Sequence, residues 1–379
     1  MHINRNTTGA PWRGQTLAAL LALGLLAGST ALSSAQDGPP GITTPTAFAP
    51  FDPNAPACSA PPGLNKVLAF AQDNEREFMQ GVDHGLAAAA KDRGLEYRRA
   101  VANNDAAKMV EQVQLFLAGK VGGVVAAPVD PASLSHSLQE IMWAGGYVGT
   151  IAPQYATGKA LTDAAVAYIN DKLGGKANVV LLTQDQIEFL APRFAAMRDG
   201  LKALPGVTIV ADITPNPVNK EGGFATMSTI LQAHPDVDVV LGADTVVLGA
   251  LAALEAAGKA RPDQFLGGID GEPEAVAAIK KPDSPYKASI SLSSPVFGYA
   301  MGQHVADWLE GKSIPQAMDI LPSALTGANL AQYEADLADP AAVYADPARR
   351  DAYLRMYGNI CYDTRDQYVN FPWSSEAKL

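Results

Sequence analysis

The chain has 379 residues, 48% of them hydrophobic and 18% charged, with a formal net charge of −11. That length exceeds the usual single-domain range, so two domains or lobes are expected. The acidic balance repels phosphate backbones and no basic stripe offsets it, which excludes nucleic acid as a partner.

In chain order, the first feature is an apolar run from Leu17 to Leu26, preceded by Arg5 and Arg13, with no acid before Asp37. Small residues follow at Ser33-Ser34-Ala35. This is the three-part pattern of a secretory signal, and its apolar core is too short to span a bilayer comfortably. Residues 1–35 are therefore expected to be a signal peptide cleaved after Ala35, the alternative being an uncleaved anchor. Loss of the two arginines leaves the mature chain more acidic still. No later stretch reaches about 20 uninterrupted apolar residues, so the mature chain is expected to be soluble.

Residues 36–65 are rich in Pro, Gly, Ala and Thr, as in Gly38-Pro39-Pro40-Gly41 and Ala60-Pro61-Pro62-Gly63. They predict an extended arm rather than a packed element. The two cysteines, Cys58 and Cys361, stand near opposite ends of the mature chain. In an oxidising compartment such a pair forms a disulfide that ties the arm to the C-terminal tail, the alternative being two free thiols. Two cysteines so far apart are not a zinc signature.

From Lys66 the pattern becomes regular. Short apolar runs fall at 67–70, 122–127, 147–151, 179–182, 207–210, 237–241 and 265–269. Between them lie segments with apolar residues spaced three and four apart, at 78–92, 106–117, 162–173, 191–204 and 246–257. Repeated strand–helix alternation predicts an α/β fold of doubly wound parallel sheets with helices on both faces. Gly94 and Gly258 stand where left-handed helix C-caps are wanted. Asp244, between a strand and a helix, is an N-cap candidate. From about Thr326 tyrosine and aspartate become frequent, which predicts a helical and irregular tail clamped by Cys361 and ending near Phe371-Pro372-Trp373.

No G-x-S-x-G elbow, H-E-x-x-H or P-loop is present, so neither an enzyme, a metal site nor a cofactor is expected. Gly267-Gly268-Ile269-Asp270-Gly271 lacks dinucleotide spacing. The histidines beyond the signal read as surface or packing residues. In parallel sheets a ligand sits outside the carboxyl ends of the strands. The strand-end groups are Gln72 to Arg76 (including Asp73 and Arg76), Asp130, Gln154, Gln184 to Gln186, Asn216, Asp244, Asp270 and Ser291 to Ser293. These carboxylates, amides and hydroxyls offer the donors and acceptors that sugar hydroxyls need, and Phe78 and Phe189 offer faces for a sugar ring. The same groups cap helices and solvate loops in any such fold. For Asp244 capping is the favoured role. For Asp270, in an Asp-Gly turn, ligand contact or hinge duty is favoured.

The stretches Gly122-Gly123-Val124-Val125-Ala126-Ala127-Pro128-Val129-Asp130, Ala233-His234-Pro235-Asp236-Val237-Asp238-Val239-Val240, Ala243-Asp244, Gly268-Ile269-Asp270-Gly271 and Ser289-Ile290-Ser291 occur in this order over about Lys66 to Pro315. Together they resemble the ribose/galactose-type sugar-binding proteins, the type I periplasmic binding proteins of ABC transporters. The resemblance implies two lobes joined by a three-stranded hinge, crossing near Gly158, Leu292 and Leu321. The expected division is 66–158 with 293–321 as the N-terminal lobe, 159–292 as the C-terminal lobe and 322–379 as an extension tied by Cys361. It also implies a monomer in the periplasm that grips one sugar, polyol or related solute and docks on an inner-membrane ABC permease. A sensor presenting the solute to a membrane receptor is the alternative.

Residue by residue, the family's ligand aspartate corresponds to Asp270 and its stacking aromatic to Phe78, beside Met79. Arg76 stands where an asparagine is usual. Ala127, Ala152-Pro153, Ala243 and Leu292 replace polar positions, and Arg193 lies about a turn from the family's helix arginine. These departures favour a different sugar, a polyol or a less polar solute over ribose or galactose.

Overall fold

The computed structural model describes residues 48–151, 155–186 and 190–368. The signal expected at 1–35, the site candidates Gln154 and Phe189, and Phe371-Pro372-Trp373 lie outside the described residues.

Two parallel sheets organise the chain. The first has the order β2-β1-β3-β4, from Asn65–Gln72 (β1), Glu96–Val101 (β2), Val121–Ala126 (β3) and Tyr147–Thr150 (β4). The second contains Ala177–Leu182 (β5), Val207–Ile213 (β6), Val239–Gly242 (β7), Phe265–Asp270 (β8), Tyr286–Ser291 (β9) and the antiparallel edge Ser323–Leu325 (β11), in the order β11-β9-β8-β7-β5-β6. Val121 to Ala126 and Val239 to Gly242 are buried throughout, because helices cover both faces of a parallel sheet. The polar strand β2 was not legible as a strand. It is an edge strand with no fully buried residue, so no apolar run marks it.

Each sheet carries its own apolar core. Phe70, Leu86, Val125, Leu138 and Trp308 belong to the first. Val180, Val247, Leu254 and Leu266 lie on one face of the second, and Leu161, Phe194, Leu241 and Ile290 on the other. Helix Ser294–Leu309 returns the chain from the second sheet to the core of the first. The chain passes from the first sheet to the second after β4, back at Leu292 to Ser293, and to the second again at Leu321 to Pro322. Gly94 and Gly258 follow helix ends at φ of +64° and +65°, as their sequence positions predict.

The C-terminal extension differs from the sequence reading. Its first residues, Ser323–Leu325, are a strand of the second sheet. Leu330 and Tyr333 of helix Leu330–Ala338 (α10) pack with Val276 and Leu325. Val343, Tyr353, Leu354 and Ile360, further along, join the core of the first sheet. Strand Leu354–Tyr357 pairs antiparallel with Ala317–Ile320. Buried Asp336 joins the two halves by accepting hydrogen bonds from Tyr353 Oη at 2.5 Å, Gln332 Nε2 at 2.7 Å and the Arg349 guanidinium. The extension therefore packs on elements of both sheets, beyond the Cys361 clamp that the sequence predicts. Tyr333 and Tyr353 serve as amphipathic wedges, each burying its ring while its hydroxyl bonds, to Ser291 Oγ and to Asp336. Cys58 and Cys361 are bonded across 303 residues of sequence.

Candidate functional site

The carboxyl ends of both sheets face one cavity of about 770 Å³. From the first sheet come Asp73, Asn74 and Arg76 after β1, Glu77 to Met79 at the start of helix Glu77–Asp92 (α1), and Asp130 after β3. From the second come Gln184 and Gln186 after β5, Arg193 from helix Ala191–Lys202 (α5), Thr245 after β7, and Asp270 and Glu272 after β8. Apolar surface comes from Phe78, Met79, Val129, Ile151, Leu190 and Leu292. Polar groups converging from both sheets beside an apolar surface suit a small-molecule site.

Asp270 has a backbone φ of +118°, which L residues rarely adopt, and Gly271 follows at +72°. Such strain persists only where the surroundings over-determine it, and it concentrates at functional sites. Asp244 supplies the restraint. Its carboxylate accepts from Tyr286 Oη at 2.6 Å, Ser289 Oγ at 2.7 Å and the Glu272 backbone N–H at 2.8 Å. Ser289 Oγ in turn accepts the Gly271 N–H at 3.0 Å. The turn that carries Asp270 is thus held from both sides by one buried carboxylate. Burial drives the Asp244 pKa well above the usual carboxylate range, against the pull of these three donors and with Asp270 adding repulsion.

Two corrections to the sequence reading follow. Asp244 is fully buried and does not line the cavity, whereas its neighbours Ala243 and Thr245 do. Nor does it cap the helix it begins, because it is the first residue of Asp244–Ala256 and its carboxylate turns to the neighbouring Glu272 loop. It is a positioning residue. Asn216 does not line the cavity either. It is exposed, ahead of Pro217, and Val218 reaches the cavity instead.

Of the other described candidates, Asp73, Asn74, Arg76, Phe78, Asp130, Gln184, Gln186, Arg193 and Asp270 line the cavity, whereas Gln72, Glu75, Asp185, Ser291 and Ser293 do not. Asp73 and Arg76 pair with each other, Arg76 Nη2 to Asp73 Oδ2 at 2.7 Å. Burial raises the Asp73 pKa, and Arg76 with the backbone N–H groups opposes it. Arg193 lies 3.8 Å from Asp270, Nη1 to Oδ1. Arg193 is 7% exposed and its Nε has no hydrogen-bond partner among the described residues. Gly158 makes this position possible. A Cβ there would fall 1.9 Å from the Arg193 carbonyl, so only glycine lets helix Tyr155–Lys172 (α4) approach α5 so closely.

The sequence reading missed Glu77 and Glu272. The available signal was proximity, since Glu77 follows Arg76 and Glu272 closes the Asp270-Gly271 turn. Burial pushes the Glu272 pKa up to about 7, Thr245 opposes the rise by hydrogen bonding, and Asp270, Glu77 and Glu274 add repulsion. The ordinary value is 4.5, so the folded protein keeps a proton that the unfolded chain has already released. Protonation therefore favours the fold at low pH, and this contribution is lost as pH rises through about 4.5 to about 7. The melting temperature of the ligand-free protein should fall across that window by more than that of Glu272→Gln. Parallel profiles would show that Glu272 does not titrate in this way.

The family model described as "Periplasmic binding protein domain" matches residues 67–313. The ribose import binding protein of Bacillus subtilis is 27% identical over 259 residues, covering 64% of this chain and 80% of the relative. The D-apiose import binding protein of Paraburkholderia graminis is 36% identical over 113 residues, 29% of this chain and 35% of that one. Among solved structures, an ABC transporter solute-binding protein from Bacillus halodurans with bound myo-inositol superposes with a TM-score of 0.63 at 20% identity, covering 72% of this chain and 98% of that one. A 5-methylthioribose transporter solute-binding protein from Thermotoga lettingae gives 0.63 at 20% identity over 73% and 92%. At that identity the superpositions establish the fold.

Proposed function

We propose, from the premise that this chain belongs to the periplasmic binding protein domain family, that it binds one sugar, polyol or related small solute between its two sheets and delivers it to an ABC importer. The family is one of binding proteins and not of enzymes. The observation that carries the reading is the convergence of strand ends from two separate parallel sheets on one cavity of about 770 Å³, roomy enough for a sugar-sized solute. Asp270 and Arg193, 3.8 Å apart, present an acceptor and a donor side by side. That is the arrangement vicinal hydroxyls satisfy. Phe78 and the apolar wall take the C–H face of the ring.

Among the described residues, no helix is long and apolar enough to cross a membrane. The working protein is proposed to be a periplasmic monomer, exported by a leader ending at Ala35. Its partner is proposed to be an inner-membrane permease that reads the closed lobes. The ligand-binding set is proposed to comprise Asp73, Arg76, Phe78, Arg193 and Asp270.

The test is a thermal-shift screen of pentoses, hexoses, cyclitols and their deoxy and thio derivatives against the mature protein. A ligand that binds only the folded state raises its stability by mass action, by about 2.7 kcal/mol at a hundredfold excess over Kd. One-to-one binding of a hit by calorimetry is expected. A screen of these classes without a hit would overturn the reading.

A further inference from the structure

The charges around the cavity do not balance. Five carboxylates, Asp73, Glu77, Asp130, Asp270 and Glu272, line it against two guanidiniums, Arg76 and Arg193. Arg76 is committed to Asp73 and Arg193 faces Asp270. Asp130 is exposed and caps its own helix through the Ala132 N–H. Glu77 and Glu272 are left. Neither forms an ion pair among the described residues, and the charged groups that act on both are carboxylates only. Among the described residues the Glu272 carboxylate accepts one hydrogen bond, from the Thr245 hydroxyl. Glu77 lines the cavity from α1 and Glu272 from the turn after β8, so the two reach it from the sides of different sheets. In the same cavity the buried Arg193 Nε has no hydrogen-bond partner among the described residues, which marks the site as built for a ligand that brings its own acceptor.

A neutral polyol would satisfy Asp270 and Arg193 and leave Glu77 and Glu272 without a counter-charge. A partly buried carboxylate needs an opposite charge or its proton. We propose that the solute this cleft selects carries a basic nitrogen, charged at neutral pH, beside its hydroxyls, with Glu272 and Glu77 as counter-charges from the two lobes. This rests on the reading of the cleft as a sugar or polyol site and narrows it to amino sugars and aminocyclitols. An ammonium group donates three hydrogen bonds and accepts none, which matches carboxylates that have acceptor capacity left over. Its arrival would draw both lobes onto the solute, because each lobe supplies one of the charges.

Calorimetric titration of the wild-type protein with matched pairs tests this. The probes are glucose and glucosamine, galactose and galactosamine, and inositol and a monoamino-deoxyinositol, with the N-acetyl derivative of each amine as the uncharged control. The expected result is at least one pair in which the amine binds ten times more tightly or better than its hydroxyl counterpart. The N-acetyl form should lose that advantage. Glu272→Gln should reduce the amine-to-hydroxyl ratio about tenfold, and Glu77→Gln should reduce it less. Equal or tighter binding of the neutral member in every pair that binds would overturn the proposal and leave the polyol reading standing. An amine preference unchanged in both variants would also overturn it. Binding of no member of any pair would remove the underlying polyol reading, and this proposal with it.

Discussion

Asp270→Ala should weaken solute binding by roughly 2–4 kcal/mol, about thirty- to a thousandfold in Kd, if Asp270 makes charge-assisted hydrogen bonds in the closed cleft. The size follows from its setting. Burial raises the Asp270 pKa, while Arg193 and then Arg76 pull it down, so its charge is held in a poorly solvated place where each hydrogen bond counts for more. Folding and binding can be separated at this residue. Its φ of +118° is strained for alanine as for aspartate, and conformations of that kind cost on the order of 1–3 kcal/mol. Glycine adopts it freely. Asp270→Gly should therefore bind as poorly as Asp270→Ala while unfolding at a higher denaturant concentration, by about 1 kcal/mol. Unchanged affinity in either variant, measured by titration, would take Asp270 out of the site. Equal stability of the two would show that the turn relaxes.

The second large effect is on stability. Replacing Cys58 and Cys361 together by serine should destabilise the protein by up to roughly 5–6 kcal/mol in the chain-entropy account, because the bond closes a loop of 303 residues' separation. Solute affinity should stay within about twofold, since neither cysteine lies near the cavity lining. The contacts around the bond explain why the fold should survive its loss. Cys58 N–H donates to the Gly311 carbonyl at 2.6 Å and Ser59 N–H to Asp363 Oδ2 at 2.8 Å. Phe51 N–H donates to the Met356 carbonyl at 3.0 Å, and Ile314 and Ile360 bridge in an antiparallel pair. These bonds keep arm and tail in place once folded. The cross-link acts chiefly by limiting what the unfolded chain can explore. A double variant that unfolds at the same urea concentration as the wild type would show that the unfolded chain is already compact enough for the bond to be redundant.

Comparison of the Asp270 turn with the Asp336 junction shows two uses of a buried carboxylate. Asp336 sits among Arg349, Tyr353 and Gln332, and these partners together bring its pKa below the usual range against the cost of burial. Asp244 has three hydrogen-bond donors, with Arg193 acting on it only through space, and burial prevails over them. The first is a junction between parts of the extension that pack on different cores. The second is a brace beneath the ligand turn.

The α/β class, the strand–helix alternation and the placement of polar cavity-lining groups at strand ends were all in the sequence. They depend on local pattern: continuous apolar runs where a strand is buried on both faces, and three- and four-residue spacing where a helix shows one face to the core. Asp73, Arg76 and Asp270 were legible as cavity-lining groups because strand ends converge in a parallel sheet, with Phe78 just beyond them; Arg193, on α5, entered only through the family resemblance. What the tertiary structure alone decided was direction. Asp244 and Ala243 are neighbours in sequence, yet only Ala243 faces the cavity, because Tyr286 and Ser289, more than forty residues away, claim the aspartate. Glu272 acquires its raised pKa chiefly from burial that no single segment encodes, and then from Asp270 and from Glu77 on a distant element. The tail looked like an appendage because its helices are short and its cysteine distant. Its role as a tie between two cores emerges only when Tyr333 and Val343 are seen packed on different ones. Pattern within a segment fixes which face is apolar. Which polar group is spent on structure and which remains for a solute is settled by partners that the chain brings together only on folding.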